Sequence, residues 1–203
     1  VAWGQAMEAD AARRAVAGDP TLAGAEKVAP DADLVALSSA VQQGYDALAS
    51  ALPDGAELDP GTPVKIPAGT MPLTGALTLC AVEAGLHASD LANALGDRGE
   101  LAPAETAACV ALIRPLLGLS AGMGAAPGPG SSIELAGESV SEQWTAHGSA
   151  WAPGRGEAAT KVSGSDEAIA LFVYGRIGHT SELLEVTGDP DVAARFKDFF
   201  PGP

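Results

Sequence analysis

Cysteine is nearly absent: Cys80 and Cys109 are the only two. Both stand in Ala/Leu-rich, helix-like surroundings, not at the spacing of a secreted disulfide framework or a CxxC metal pair. A disulfide-held fold is thereby excluded, and a reducing cytoplasm is the simplest expectation. Basic residues are also scarce, 11 against 26 acidic ones for a net charge of −15 at pH 7. The averaged field repels phosphate backbones and anionic lipid surfaces, which argues against nucleic acid and membranes as partners. A small anionic or electrophilic substrate survives that exclusion, because an arginine inside a pocket acts within the Debye length of about 8 Å. No uninterrupted apolar run approaches the roughly 20 residues of a membrane helix. Val1 to Asp10 lack the basic start and apolar centre of a signal peptide. Residue 1 is not Met, and the native protein is expected to begin earlier.

What the 203 residues do contain is enough for one large domain or two small ones. Helical patterning is expected over Val1 to Gly18, Asp31 to Leu52, Leu73 to Leu95 and Pro103 to Leu119, with Pro115 set to kink or shorten the last. Leu34, Leu37, Val41, Tyr45 and Leu48 form the apolar stripe of the second of these. Between it and the third lies a Pro-punctuated stretch, Glu57 to Pro72, expected to be extended or looped around Val64 and Ile66. Composition shifts abruptly over Gly122 to Ser132, which reads as a linker. Beyond it, strands are expected over Ser132 to Ala136, Glu142 to Trp151, Ala159 to Val162 and Leu183 to Thr187. Helices are expected over Ser165 to Arg176, capped by Ser165, and over Asp191 to Phe200. The reading is therefore 1–121 helical domain, 122–131 linker and 132–203 small α/β domain, an α+β chain overall.

The chemistry is concentrated in the third helical segment. At about 100° per residue, Ala76, Cys80, Glu83, His87 and Asp90 fall on one stripe flanked by Leu79, Leu86 and Leu91, with Gly85 and Ser89 opposite. Ionisable groups on an apolar face need compensation, since burying an unpaired charge costs several kcal/mol. Glu83 and His87, at i and i+4, are near enough to share one cation, and inward Glu and His side chains are a common way to build a metal site in a helical bundle. Asp90, at i+3 from His87, is placed to accept from the other ring nitrogen and fix the tautomer. The same spacing equally suits a metal-free hydrogen-bonded cluster. Cys80 reads either as a soft ligand or as a small core hydrophobe.

At these residues a resemblance emerges. Glu83, His87 and Asp90, followed by Leu91, Ala92, Ala94, Leu95 and Gly96, resemble the helix that carries the second and third metal ligands in the mycothiol-dependent maleylpyruvate isomerase group of DinB-like proteins. Val1, Ala2, Trp3 and Gly4 look like the segment after that group's first ligand, a histidine. Tyr174, Gly175 and Arg176, then Glu185 to Asp189, look like its C-terminal domain, which is similar to a sterol-carrier fold. The resemblance implies a DinB-like domain of four-helix-bundle type, with its first helix and first histidine ahead of Val1. It also implies a divalent metal, zinc before others, held by Glu83 and His87, and mycothiol as thiol cosubstrate. A catalytic zinc site takes three protein ligands plus water, of which this chain supplies two.

The implied activity is an isomerase of the maleylpyruvate isomerase type or a thiol S-transferase. The alternative is a non-catalytic metal- or thiol-binding protein of the same fold, and a third reading is a helical interaction module without metal. Arg176 is the candidate clamp for a substrate or thiol carboxylate, or else a cation favoured by a helix C-terminus. His147 and His179 lie outside any ligand pair. Trp3, Trp144 and Trp151 read as core anchors, and Phe196, Phe199 and Phe200 as the residues that dock the last helix.

Overall fold

The structure, a computed structural model, describes residues 10–17, 34–51, 59–66 and 69–202. Trp3 and the rest of the Val1 to Gly4 segment lie outside the described residues. Within the expected first helix, residues 10–16 are helical (α1). Asp10 at its start accepts from Arg13 at 2.6 Å and from Arg14 at 2.7 Å, the i+3 and i+4 spacing of one helix face. The second helix, α2, spans Leu34–Ala51.

The Pro-rich stretch that follows pairs with itself. Strands β1 (Pro63–Ile66) and β2 (Gly69–Pro72) form an antiparallel hairpin in which Val64 faces Met71. Pro72 then leads directly into α3, Leu73–Ala94. Buried Ala11, Ala12 and Ala15 of α1 pack with Val64, Leu73 and Ala76, and Tyr45 of α2 lies against the same cluster. This core is built mainly from small residues. Helix α3 stops at Leu95, followed by Gly96 at φ 86°, a left-handed position that glycine adopts without a Cβ penalty.

Two compact units divide the chain, Val1–Gly99 and Glu100–Pro203. The second opens with α4, Pro103–Ser120, whose Glu105 carboxylate accepts from the backbone N–H of Ala102 at 2.8 Å. Pro115 does not end this helix early. A proline in a helix interior costs about 3 kcal/mol through its lost hydrogen bond and ring clash, and the same helix buries Cys109, Ile113 and Leu117 along one stripe. Residues 122–131, expected as a linker, run inside this second unit, where Ala125 N–H donates to the Asp198 carbonyl at 2.7 Å. A Cβ on Gly124 would collide with the backbone of Asp198 and Phe199. Glycine here serves close approach of two backbones.

A five-stranded sheet follows, in the order β5-β4-β3-β6-β7. Its strands are β3 (Ser132–Ala136), β4 (Ser141–His147), β5 (Ala150–Pro153), β6 (Thr160–Gly164) and β7 (Leu184–Gly188). Only the central β3 and β6 run parallel. The single strand expected over Glu142 to Trp151 is two strands, turned by Gly148 at φ 64°. Helix α5, Asp166–Val173, is capped by Ser165, whose hydroxyl accepts from Ala168 N–H at 3.1 Å. The expected last helix is broken at Arg195 into α6 (Pro190–Ala194) and α7 (Phe196–Phe199).

Phe196, Phe199 and Phe200 dock as expected, all three buried. Phe196 packs on Phe172 at 4.7 Å between ring centroids, Trp151 on Phe199 at 5.2 Å, and Trp144 on Phe200 at 5.6 Å. Cys80 and Cys109 are both buried.

Candidate functional site

Helix α3 carries the candidate site in the first unit. Its buried side comprises Leu73, Ala76, Cys80, Val82, Gly85, Leu86 and Ser89. The expected stripe is therefore only partly right. Ala76 and Cys80 are buried as anticipated, but Gly85 and Ser89 are buried too, and Glu83, His87 and Asp90 line the margin of the buried face. Their side chains retain 23%, 25% and 41% exposure. Leu91 and Leu95, by contrast, stand exposed.

The chain's return after α3 explains this rotation. Asp97 N–H donates to the Ala92 carbonyl at 2.9 Å and Gly99 N–H to Asn93 Oδ1 at 3.2 Å. The Ser89 hydroxyl then closes on the Gly99 carbonyl at 2.6 Å. A side chain at Gly99 would strike the Ser89 carbonyl. Ser89, which periodicity placed on the outer face, has the returning backbone of Gly99 against it.

On the margin, the imidazole of His87 is held between two carboxylates of its own helix. Nε2 lies 3.1 Å from Glu83 Oε2, and Nδ1 lies 3.5 Å from Asp90 Oδ2. One carboxylate oxygen and one imidazole nitrogen thus converge on a single point on the Glu83 side. That donor pair suits a borderline divalent cation such as zinc in kind. Among the described residues no group of three or more His, Cys, Asp or Glu side chains is placed to hold a metal. The pair therefore fits as two of the three protein ligands a catalytic zinc takes. Cys80 turns into the core one turn earlier, where its carbonyl accepts from the Tyr45 hydroxyl at 3.2 Å.

Arg176 belongs to the second unit. It follows Gly175, at φ 75°, just past the end of α5, and its guanidinium donates to the Tyr174 carbonyl at 2.6 Å. Lys197 reaches the same helix end and donates to the Val173 carbonyl at 3.1 Å. Burial first, and the neighbouring Arg176 charge second, hold the Lys197 ammonium below its ordinary pKa. Sequence reasoning missed Lys197 as a neighbour of Arg176, and no local signal joins them. Tyr174 points its hydroxyl at the Cys109 carbonyl, 3.2 Å away. Burial pushes the Cys109 thiol up to about 11, with Glu105 adding to the shift. It is a core thiol at neutral pH and not a nucleophile. His147 ends β4 with an exposed side chain, and His179 lies in the loop after α5. A groove of about 610 Å³ in the second unit is lined by Gly130, Ser132, Glu157 and Gly188 among others, and by none of the candidate residues.

No family model and no curated protein matches the chain. Solved structures do. A histidine-to-alanine mutant of the mycothiol-dependent maleylpyruvate isomerase aligns with a TM-score of 0.59 over 93% of this chain and 75% of its own, at 21% identity. The chain has the maleylpyruvate isomerase fold. A second structure of the mycothiol-dependent maleylpyruvate isomerase gives a TM-score of 0.55 with the same coverage, at 20% identity. At these identities the shared property is the maleylpyruvate isomerase architecture, helices followed by a mixed sheet, and it extends across both units of the chain. No helix among the described residues is long and apolar enough to cross a membrane.

Proposed function

We propose that this protein is a cytoplasmic enzyme dependent on a low-molecular-weight thiol, with mycothiol as the thiol. It acts either as an isomerase of the maleylpyruvate isomerase type or as a thiol S-transferase. The observation that carries the reading is the Glu83–His87 donor pair, 3.1 Å apart on a helix of that fold. Glu83 and His87 would hold a divalent metal, zinc before others. A metal bound there would lower the pKa of a coordinating thiol and keep it as thiolate at neutral pH.

The chain's own residues supply the rest. Arg176, in the second unit, would offer a planar fork to a substrate or thiol carboxylate, a role proposed for it independently of Glu83 and His87. For a cis-enone acid, thiolate addition to the double bond leaves a single bond free to rotate, with the electron pair held by the adjacent carbonyl. Expulsion of the same thiolate then returns the thiol and gives the trans isomer. An S-transferase shares the first step and keeps the new carbon–sulfur bond, the enolate taking up a proton equivalent to the one the thiol lost.

The test is a paired assay on the full-length protein with zinc and mycothiol, following the absorbance of a cis-enone diacid and the free thiol together. Loss of the cis isomer with no net thiol loss supports the isomerase, and stoichiometric thiol loss supports the transferase. Glu83→Gln and His87→Ala are expected to lower either rate by more than about 100-fold, beyond what outer partners of a metal site cost. Bound zinc with neither reaction would select a non-catalytic binding protein of the same fold.

A further inference from the structure

The C-terminal end of α5 gathers two cations. Its backbone turns back on itself there: Gly175, at φ 75°, gives its N–H to the Phe172 carbonyl at 3.0 Å, and Arg176 gives its N–H to the Leu171 carbonyl at 2.8 Å. Such a closure satisfies carbonyls that a helix end would otherwise leave open, and it fixes where the Arg176 main chain stands. The next two carbonyls each receive a charged side chain. Lys197 Nζ donates to Val173 at 3.1 Å, and a guanidinium nitrogen of Arg176 donates to Tyr174 at 2.6 Å. Lys197 arrives from α7 with its stem across Gly175, where an added Cβ would stand 3.4 Å from Lys197 Cε.

We propose that Lys197 is the second cation of the Arg176 site: the guanidinium and the ammonium, held on consecutive carbonyls of one helix end, bind a carboxylate together. This rests on the reading of Arg176 as a carboxylate clamp and adds a residue to it. The partial negative charge of a helix end accounts for one cation there. A second one is a different matter, because the Lys197 ammonium is half-buried, and burial and the Arg176 charge both act against its charged form. In a chain with 11 basic and 26 acidic residues, two like charges drawn together out of water are an exception, and perturbed groups of this kind concentrate at functional sites. An anion shared by the pair relieves their repulsion and replaces lost solvation. Arg176 supplies the planar two-point grip, and Lys197 supplies a point charge with no fixed direction.

Succinate titrated into the metal-free full-length protein at constant ionic strength, with the Gly175 backbone amide as NMR reporter, tests this without involving Glu83 or His87. Wild-type protein is expected to show a saturable shift. Lys197→Met, which keeps an unbranched stem over Gly175, should bind about 10-fold more weakly with an unchanged denaturation midpoint. Lys197→Arg, which restores the charge, should regain most of the affinity. A lysine with a purely structural role would instead lower the midpoint in Lys197→Met and leave affinity as it was. Wild-type affinity in Lys197→Met, or an equal loss in Lys197→Arg, would overturn the part given to Lys197 and leave the Arg176 clamp standing. Wild-type affinity in Arg176→Ala, or no saturable shift in wild-type protein, would overturn the clamp and the shared site together.

Discussion

The two units of this chain are held together by different means. In the first, the described core around α3 includes the small residues Ala11, Ala12, Ala15 and Ala76 with Val64 and Leu73, and Glu83, His87 and Asp90 ride on the margin of one helix. In the second, Trp144, Trp151, Phe172, Phe196, Phe199 and Phe200 stack between sheet and helices. Large aromatics each bury much apolar area, whereas small residues bury little and let backbones approach. The lesson is a division of labour: among the described residues the candidate metal chemistry lies in the unit without the aromatic cluster, and substitutions should sort accordingly into losses of stability and losses of ligand.

The largest effect belongs to the aromatic cluster. Phe196→Ala empties a fully buried position and is expected to cost about 3–5 kcal/mol, read as a drop in denaturation midpoint. Zinc affinity measured below the transition should not move. A parallel loss of zinc binding would break the comparison, because it would mean that the two units stand or fall together.

A smaller loss is expected at Asp166. Its carboxylate accepts from Ser139 N–H at 3.0 Å, from the Ser139 hydroxyl and from Val140 N–H, which ties the β3–β4 turn to the start of α5. Desolvation pushes this carboxyl up, but the hydrogen bonds together outweigh it and hold the pKa below the ordinary 3.8. A depressed carboxylate stabilises the fold above its unfolded value, and that contribution is lost as pH falls through the folded value. Asp166→Ala should therefore destabilise the fold at neutral pH, by no more than about 1 kcal/mol once solvent screening of this exposed group is allowed for. The gap from wild type should close in acid below the ordinary carboxylate range. A gap that persists there would show that packing, not the charge, is responsible.

The smallest stability effect is expected where the chemical effect is greatest. Glu83→Ala lies on a partly exposed margin and should shift stability by no more than about 0.5 kcal/mol while abolishing tight zinc binding. A large destabilisation in the metal-free protein would place Glu83 with the structural residues instead and erase the contrast.

Much of this was legible in the residues. The limits of α3 followed from Pro72 and Gly96, those of α4 from Pro103, and the strand over Ser132 to Ala136 from its bounding turns, because each signal is local. The facing of α3 was not legible. Periodicity assigns a buried side by counting apolar residues, and it ranked Gly85 and Ser89 as outer positions since neither is apolar. The burial of Ser89 comes from backbone returning at Gly99, ten residues beyond it. The strand break at Gly148 was hidden by uniform alternation on either side. The Asp166 contacts with Ser139 span 27 residues, and no pattern short of the folded chain joins them. The Glu83, His87 and Asp90 grouping was visible because all three lie within two turns of one helix.

The closure of Ser89 on Gly99 has a consequence for how such a protein can change over time. It indexes α3 like a key in a shaft: a hydroxyl and a stretch of main chain join the buried Ala76, Val82 and Leu86 in setting the angle at which Glu83 and His87 are offered. Exposed neighbours such as Leu91 and Leu95 are then free to be exchanged without re-aiming Glu83 and His87.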